Sequence, residues 1–300
     1  MPLLEKLAAN ITRLLSETSH TSSSNLGGHR SRVALPRLKK IDINCPNPDI
    51  YSQFLVYIAI QPECSISIEV GLDDTSGLSD RVPRNIKEMG RLVVQHLTDG
   101  FNHRCDASAS VTHIMLTIHP RMVHLASWCG FITRFRLKSS LTSGKIPLNI
   151  FNSILTSLSS VHFPDTIQEV RLVLFDVFND LQNIYPGSLQ SDEDNRQSII
   201  SSILQLFQAL GSTVDLYVSF QSLMSLVKLS ESHAGVLFPY LQNLHFSSRD
   251  GEDESLCIIP FLTRRQLPHI SPLRTLHFEH ITSGRDLRYL DNFEGLEVIR

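Results

Sequence analysis

One spacing of apolar residues recurs along this 300-residue chain: apolar, two other residues, apolar, one other residue, apolar. The second half of that pattern is the period-two alternation of a strand that buries one face. Seven segments carry it: Leu38, Ile41 and Ile43; Val111, Ile114 and Leu116; Ile132, Phe135 and Leu137; Ile167, Val170 and Leu172; Leu241, Leu244 and Phe246; Leu273, Leu276 and Phe278; and Phe293, Leu296 and Val298. Because a lone strand leaves its apolar face in water, these strands are expected to share a sheet.

Apolar runs of helical period lie between the strands. Four are present: Ile50, Phe54, Leu55 and Ile58; Ile86, Met89, Leu92, Val93 and Leu97; Ile150, Ile154, Leu155 and Leu158; and Ile199, Ile200, Ile203, Leu204, Phe207 and Leu210. Gly100 and Gly211 are predicted to end the second and the fourth. The acidic stretch 191–195 is predicted to be an exposed loop.

Strands that alternate with helical return segments are typical of leucine-rich repeats, in which each repeat adds one strand to a curved sheet. We therefore predict an α/β fold: an irregular leucine-rich-repeat-like solenoid with a mainly parallel sheet and helical return segments. The intervals are irregular compared with the roughly 20–29 residues of regular repeats, so an ordinary α/β domain remains the alternative.

Three segments resemble one another beyond the spacing, namely residues 35–43, 238–246 and 271–278. Each has a proline one or two residues before a leucine, then a polar pair, then the alternating strand; the proline fits the end of the preceding turn. If the repeats are real, six residues should lie buried on strands of one mainly parallel sheet: Ile41, Ile114, Phe135, Val170, Leu244 and Leu276.

The two ends of the chain differ from its body. Residues 1–16 place leucines on one helical face and predict an amphipathic helix, and the Ser-, Thr- and Gly-rich residues 17–32 predict a flexible polar linker. Residues 33–300 then form the repeat-like domain. Its last strand, around residues 293–300, has no following helix to cover it, so we expect the domain to be truncated at its C-terminal end.

Composition excludes several classes of function. A net charge of −3 gives no basic field for nucleic acid, and no segment is uniformly apolar enough for a membrane span. The five cysteines have no zinc-ligand spacing, and the N-terminus lacks the features of a signal peptide. We expect no metal and no cofactor, and a cytoplasmic or nuclear location.

Several short motifs resemble the repeat regions of F-box and leucine-rich-repeat proteins from mushroom-forming fungi. They are Leu35-Pro36-Arg37-Leu38, Phe54-Leu55, Gln61-Pro62-Glu63-Cys64, Ser65-Ile66-Ser67-Ile68, and Phe261-Leu262 followed by Ile270-Ser271-Pro272-Leu273-Arg274-Thr275-Leu276. The resemblance spans roughly residues 33–300. It implies a curved array that recognises a protein, such as a substrate of a ubiquitin ligase. The chain departs from the family in lacking an F-box-like helix before the array, so attachment to a ligase core is not implied.

The residues between the buried strand positions predict the binding surface. Arg134, Arg136 and Lys138 alternate with apolar residues, which places the three cations on one face of a strand, where they suit an acidic or phosphorylated partner segment. A solvated strand face without a partner is the alternative. The equivalent positions on other strands are Lys40 and Asp42, His113, Glu169 and Arg171, Asn243 and His245, and His277 and Glu279.

These observations together predict a non-enzymatic protein–protein interaction scaffold, and the resemblance implies a substrate-recognition array of the F-box type. The mixed signs of the outward residues favour a protein partner over nucleic acid. The alternative is a small cytosolic enzyme with a site assembled from distant residues. A deep pocket with converging ionisable groups would favour the enzyme, and a shallow strand-lined surface would favour the scaffold.

Overall fold

The segments with alternating apolar residues form strands, and their sheet determines where the outward side chains lie. The computed structural model describes residues 4–10, 33–45, 58–61, 63–72, 81–104, 112–128, 132–141, 145–160, 163, 165, 167–174, 190–232, 237–249, 251–267, 270–279 and 287–300. The strands within these residues are β1 Lys6–Asn10, β2 Val33–Ala34, β3 Lys40–Cys45, β4 Ile58–Ala59, β5 Ser65–Leu72, β6 Thr112–His119, β7 Met122–Trp128, β8 Ile132–Ser139, β9 Ile167–Leu174, β10 Asp215–Ser219, β11 Asn243–Ser247, β12 Thr275–Glu279 and β13 Glu297–Ile299.

Helices connect many of these strands. They are α1 Arg81–Arg104, α2 Leu148–Leu158, α3 Gln190–Ala209, α4 Phe220–Ser232 and α5 Ser255–Arg264, with a 3-10 helix at Arg288–Asn292. The helices predicted around Ile86, Ile154 and Ile203 are confirmed as α1, α2 and α3. The loop predicted for residues 191–195 is wrong, because α3 already begins at Gln190; acidic side chains stabilise the first turns of a helix. Among the described helices, none combines the length and apolarity needed to cross a bilayer.

Eleven strands form one sheet in the order β1-β3-β5-β8-β7-β6-β9-β10-β11-β12-β13, and β2 pairs with β4 separately. Neighbours in the large sheet are parallel, except that β7 runs antiparallel to both β6 and β8. The prediction of an α/β fold with a mainly parallel sheet is confirmed.

Two rows of mostly apolar side chains cross the sheet in register. One contains Leu7, Ile41, Ile66, Thr133, Ser127, Ile114, Val170, Leu216, Leu244, Leu276 and Val298; the other contains Ala9, Ile43, Ile68, Phe135, Leu125, Leu116, Leu172, Val218, Phe246 and Phe278. The buried side chains of these rows join those of the helices in one core cluster. The six residues predicted to be buried on this sheet are buried there, so that prediction is confirmed.

The β6–β7–β8 meander interrupts the sequential order of the strands. β8, the last of the three, pairs with β5, and β6, the first, pairs with β9. The chain therefore crosses two strand positions on its way from β5 to β6, and again from β8 to β9. β7 carries no alternation that could predict it, because five consecutive residues are buried: Val123, His124, Leu125, Ala126 and Ser127.

From β9 to β13 the strands follow chain order without a slip in register. The first residues of β10, β11, β12 and β13 pair in one line, Asp215 with Asn243, Asn243 with Thr275 and Thr275 with Glu297. The first two steps span 28 and 32 residues. Each step consists of a strand and a helical return, formed by α4, α5 and the 3-10 helix in turn.

Arg265 ties two of these returns together. It follows α5 directly and is buried, and its guanidinium donates hydrogen bonds to the carbonyls of Phe238 (3.0 Å), Leu241 (2.9 Å) and Ser271 (3.0 Å). Those carbonyls lie in the segments that lead into β11 and β12. Burial lowers the pKa of Arg265 to about 10. The side chain therefore fixes the entry of one strand relative to the next.

Helices α1 and α2 are in close contact at Gly90. A Cβ atom at this position would lie 2.7 Å from Ser157 Cβ and 2.9 Å from Ile154 Cδ1. Ser157 also donates hydrogen bonds across the interface to the carbonyl of Lys87 (3.2 Å) and within α2 to that of Ser153 (2.9 Å). The absence of a side chain at Gly90 is what allows this contact.

The N-terminal segment differs from its prediction. The helix predicted for residues 1–16 is wrong over Lys6–Asn10, which forms the edge strand β1. Leu7 pairs with Ile41, and the Glu5 carbonyl accepts hydrogen bonds from the amides of Lys39 (2.8 Å) and Lys40 (3.2 Å). Pairing with an existing sheet thus decides the conformation over local helical periodicity.

Two further predictions, the linker at residues 17–32 and most of the helix around Phe54, lie outside the described residues. Ile58, placed in that helix, belongs instead to β4.

Candidate binding face of the sheet

The side of the sheet opposite the helices carries a third row of side chains, in register across nine strands. Its members are Asp42, Ser67, Arg134, Ala126, Met115, Arg171, Tyr217, His245 and His277. Since successive residues of a strand point to opposite faces, the residues two positions away on each strand lie on the same side. We call this side the polar face.

The nine residues predicted as the binding surface all lie on the polar face. They are Arg134, Arg136 and Lys138 on β8, Glu169 and Arg171 on β9, Asn243 and His245 on β11, and His277 and Glu279 on β12. The sheet order separates them into a β8 group and a β9–β12 group, with β7 and β6 in between. The other predicted outward residues, Lys40, Asp42 and His113, are on the same side.

The β8 group is built around a carboxylate from the neighbouring strand. Glu69 on β5 lies 2.8 Å from Lys138 Nζ and 3.7 Å from Arg136 Nη1. The Lys138 ammonium, and to a smaller degree Arg136, lower the pKa of Glu69. Arg134 is exposed and forms no ion pair with any described residue. One carboxylate among three cations leaves this part of the polar face positively charged.

Glu169 on β9 connects a side chain of the neighbouring strand β6 with a second side chain of β9. One of its oxygens lies 2.6 Å from His113 Nδ1 on β6, and the other accepts a hydrogen bond of 3.1 Å from Arg171 Nε. The Glu169 side chain is only 14% exposed. Both of its oxygens are engaged, so this carboxylate orients His113 and Arg171.

Planar side chains stack across four neighbouring strands. The Arg171 guanidinium lies 4.7 Å from the Tyr217 ring centroid, Tyr217 stacks on His245 at 3.9 Å, and His245 stacks on His277 at 4.5 Å. Paired residues of adjacent strands stand about 4.8 Å apart, which is the spacing that stacked rings require. Burial, followed by the nearby His277, lowers the pKa of His245, and burial raises the pKa of Tyr217. Stacking covers the ring faces, so the ring edges are left for contact with a partner.

A line of hydrogen bonds runs beside the stack. Asn243 Nδ2 donates to Asp215 Oδ1 (2.7 Å), and Thr275 Oγ1 donates to Asn243 Oδ1 (2.6 Å). Asp215 also lies 3.8 Å from His245 Nε2. These contacts join side chains of β10, β11 and β12, so this part of the polar face is held in place by interactions between strands.

A depression of about 350 Å³ lies between the two groups. It is lined by His113, Met115, Trp128, Glu169 and Arg171, together with Ile114. Met115 and Trp128 supply apolar walls, and the hydrogen-bonded His113–Glu169–Arg171 cluster forms the polar side. Its volume is at the small end of the range for sites that bury a ligand group.

His124 lies on β7, where it pairs with Arg136 of β8. It is 4% exposed, and its Nε2 has no hydrogen-bond partner among the described atoms. Burial lowers its pKa to about 4, with further contributions from Arg136 and Arg134. A neutral imidazole therefore lies beside the cations of β8.

Two free cysteines are among the described residues, and both are buried. Burial raises the pKa of the Cys64 thiol to about 11 and that of Cys257 to about 12, so neither is a thiolate at neutral pH. In the same part of the chain, no three His, Cys, Asp or Glu side chains are grouped to hold a metal ion.

Sequence reasoning missed several residues of this surface. Glu69, Met115, Trp128, Asp215 and Tyr217 were not predicted as part of it. For the last two a signal exists, because Asp215-Leu216-Tyr217-Val218-Ser219 alternates like the other strands. Met115 also has a signal, because it lies between the predicted buried residues Ile114 and Leu116. Trp128 carries no comparable signal, since its position depends on the antiparallel meander.

Comparison with known proteins adds no relative. No protein-family model matches the chain, and a search of curated proteins finds no significant match.

Proposed function

We propose that this chain is a non-enzymatic protein-binding scaffold, built as an irregular leucine-rich-repeat-like array whose polar face contacts the partner. One observation carries the proposal: the outward side chains of successive strands align in register on a face that the described helices do not cover. A row of aligned, mixed polar and aromatic side chains suits recognition of a protein surface or segment.

The strand-and-return steps from β9 to β13 support the repeat part of the proposal. Each new strand is added beside the previous one and is paired residue for residue with it. The sequence resemblance to F-box and leucine-rich-repeat proteins supports a narrower form, in which the scaffold selects a substrate protein for a larger complex.

The depression is the best place to consider the enzyme alternative. His113, Glu169 and Arg171 converge there, but both Glu169 oxygens hold the other two side chains in position. A carboxylate that only positions its neighbours, as that of Glu169 does, fits a binding pocket. No further group for catalysis is found among the described residues that line the depression. Binding therefore remains the proposal.

The experiment is a comparative pull-down with tagged full-length chain, followed by mass spectrometry. Arg134→Glu changes an exposed polar-face residue without breaking an ion pair of the described residues, and Lys87→Glu on α1 is the matched control on the helical side. We expect proteins captured by the wild type to be captured in smaller amounts with Arg134→Glu and in equal amounts with Lys87→Glu. Equal capture by all three proteins, or loss with the control alone, would contradict the proposal.

Reversing Arg134, Arg136 and Lys138 together is a poorer test. Arg136 and Lys138 surround Glu69, so two new carboxylates there would repel it. Loss of binding could then reflect local unfolding, and the single change at Arg134 avoids this ambiguity.

A further inference from the structure

The charge of the polar face changes sign across the sheet. On β5 and β8, Arg134, Arg136 and Lys138 face the single carboxylate of Glu69, which leaves an excess of positive charge. The closest strands of the meander, β7 and β6, carry no Asp, Glu, Lys or Arg at all. An anionic group that approaches the sheet is therefore favoured over β8.

The strands beyond the meander have the opposite balance. Glu169 is paired with Arg171, whereas Asp215 and Glu279 add two carboxylates without an adjacent arginine or lysine on β10 to β12. Glu279 is exposed and forms no ion pair with a described residue. A cationic group is therefore favoured over β10 to β12.

The depression lies between the two charged regions. Met115 and Trp128 offer an apolar surface, and about 350 Å³ can accept one large side chain. Buried Ala126, which pairs with Met115 on one side and Arg134 on the other, separates it from that cation of β8. This is the place for an uncharged anchor.

The sheet geometry sets the length of a matching segment. Arg134 and Glu279 are six strand positions apart, or about 29 Å at about 4.8 Å per strand. An extended chain covers that distance with about nine residues at about 3.3–3.6 Å each. From the depression, about three residues reach β8, and about three to six reach Asp215 and Glu279.

We propose that the polar face selects an extended peptide segment of split charge, which places acidic residues over β8, a large apolar or aromatic side chain in the depression, and basic residues over Asp215 and Glu279. This inference rests on the proposed function and specifies its partner. Attraction at both ends also fixes the orientation of the segment, because the reversed placement brings like charges together at each end.

The first test uses the immobilised full-length protein and a random library of twelve-residue displayed peptides. We expect the selected peptides to carry an aromatic or large apolar residue with acidic residues on one side and basic residues on the other. Selection of uniformly acidic, uniformly basic or uncharged peptides would overturn the inference, and so would no selection at all.

The second test uses charge-reversed proteins and one selected split-charge peptide. Glu279→Lys and Arg134→Glu should each weaken its binding about two- to fivefold, as single exposed ion pairs do, and Lys87→Glu should leave the affinity unchanged. Glu279→Lys should also shift a new selection away from basic residues, with the acidic side retained. A peptide affinity that does not change with either charge reversal would refute the split-charge assignment.

The two proposals fail in different ways. If natural partners are captured through the polar face but selected peptides lack split charge, only the present inference is wrong. If no capture depends on the polar face, the proposed function fails as well.

Discussion

His124 shows how one residue links the polar face to the stability of the fold. Its imidazole is buried beside Arg136 and Arg134 of β8, and its pKa is about 4 in place of 6.5. Burial is the main cause, so the folded protein holds it neutral. The proton is consequently bound by the unfolded chain at a higher pH than by the folded chain.

The sign of the pH dependence follows from that difference. Between pH 6.5 and about 4 the unfolded chain takes up a proton on His124 that the folded protein does not. This contribution to stability is complete above pH 6.5 and is lost as pH falls through the window, by about 3 kcal/mol in total. The buried His96, whose pKa is also lowered, acts in the same direction.

We predict that His124→Gln reduces the loss of stability between pH 7 and pH 4. Urea unfolding measured across this range checks it, with His277→Gln as a control that removes an imidazole from the same face but leaves His124 in place. A variant whose unfolding free energy falls with pH as steeply as that of the wild type would show that His124 is not the buried neutral group described above.

At the scale of elements, the contact between α1 and α2 depends on a missing side chain. Gly90 is a poor helix former, and alanine would improve the intrinsic helix propensity by about 1 kcal/mol. The new methyl group would, however, meet Ser157 Cβ at 2.7 Å and Ile154 Cδ1 at 2.9 Å. Overpacking of this kind costs about 1–3 kcal/mol or more, and here it opposes the gain in propensity.

We predict that Gly90→Ala lowers the free energy of unfolding by about 1–2 kcal/mol. Gln95→Ala, at an exposed position of the same helix, is the control and should change it by less than about 0.5 kcal/mol. Chemical denaturation of both variants provides the measurement. A Gly90→Ala protein as stable as the wild type would mean that the helices do not approach as closely as described.

The elements also show what sequence can predict. Strands such as β3, β8 and β11 were predictable because one face is buried and the other faces solvent. Ile41, Phe135 and Leu244 therefore alternate with polar residues. Strand β7 is buried on both sides over residues 123–127 and has no such pattern. At β1, the periodicity of Leu7 and its neighbours suits a helix, and only the presence of β3 alongside makes it a strand.

The candidate site was predictable to the same degree. The outward residues of the predicted strands could be assigned to one face, but their neighbours across the sheet could not. Glu69 meets Lys138, and Met115 approaches Arg171, only because the meander places β8 beside β5 and β6 beside β9. These contacts depend on pairing between segments that are distant in sequence. The local pattern of apolar and polar residues does not predict that pairing.

At the scale of the whole molecule, the sheet distributes stability among neighbouring strands. Among the described elements, each strand of the sheet pairs only with its neighbours in the order. In repeat proteins with this kind of pairing, stability is close to a sum of local contributions. Leu276 on β12 and Ile66 on β5 are matched buried residues near opposite ends of that order.

We predict that Leu276→Ala, which removes about 2–5 kcal/mol of packing, accelerates amide hydrogen exchange mainly in β11 to β13. Ile66→Ala should do the same mainly in β3, β5 and β8. Hydrogen exchange followed by mass spectrometry measures both variants against the wild type. Uniform acceleration across the sheet in either variant would instead mean that it unfolds as a single cooperative unit.

The in-register rows separate what this chain has to keep from what it is free to change. The two mostly apolar rows pack the sheet against the helices, so a substitution there disturbs every neighbour. The row that contains Arg171, Tyr217, His245 and His277 lies on the other side and touches the core very little. Single substitutions in that row therefore alter one site of a grid with fixed spacing and leave the grid intact. Such an architecture lets the outward surface change one strand at a time without a change of fold.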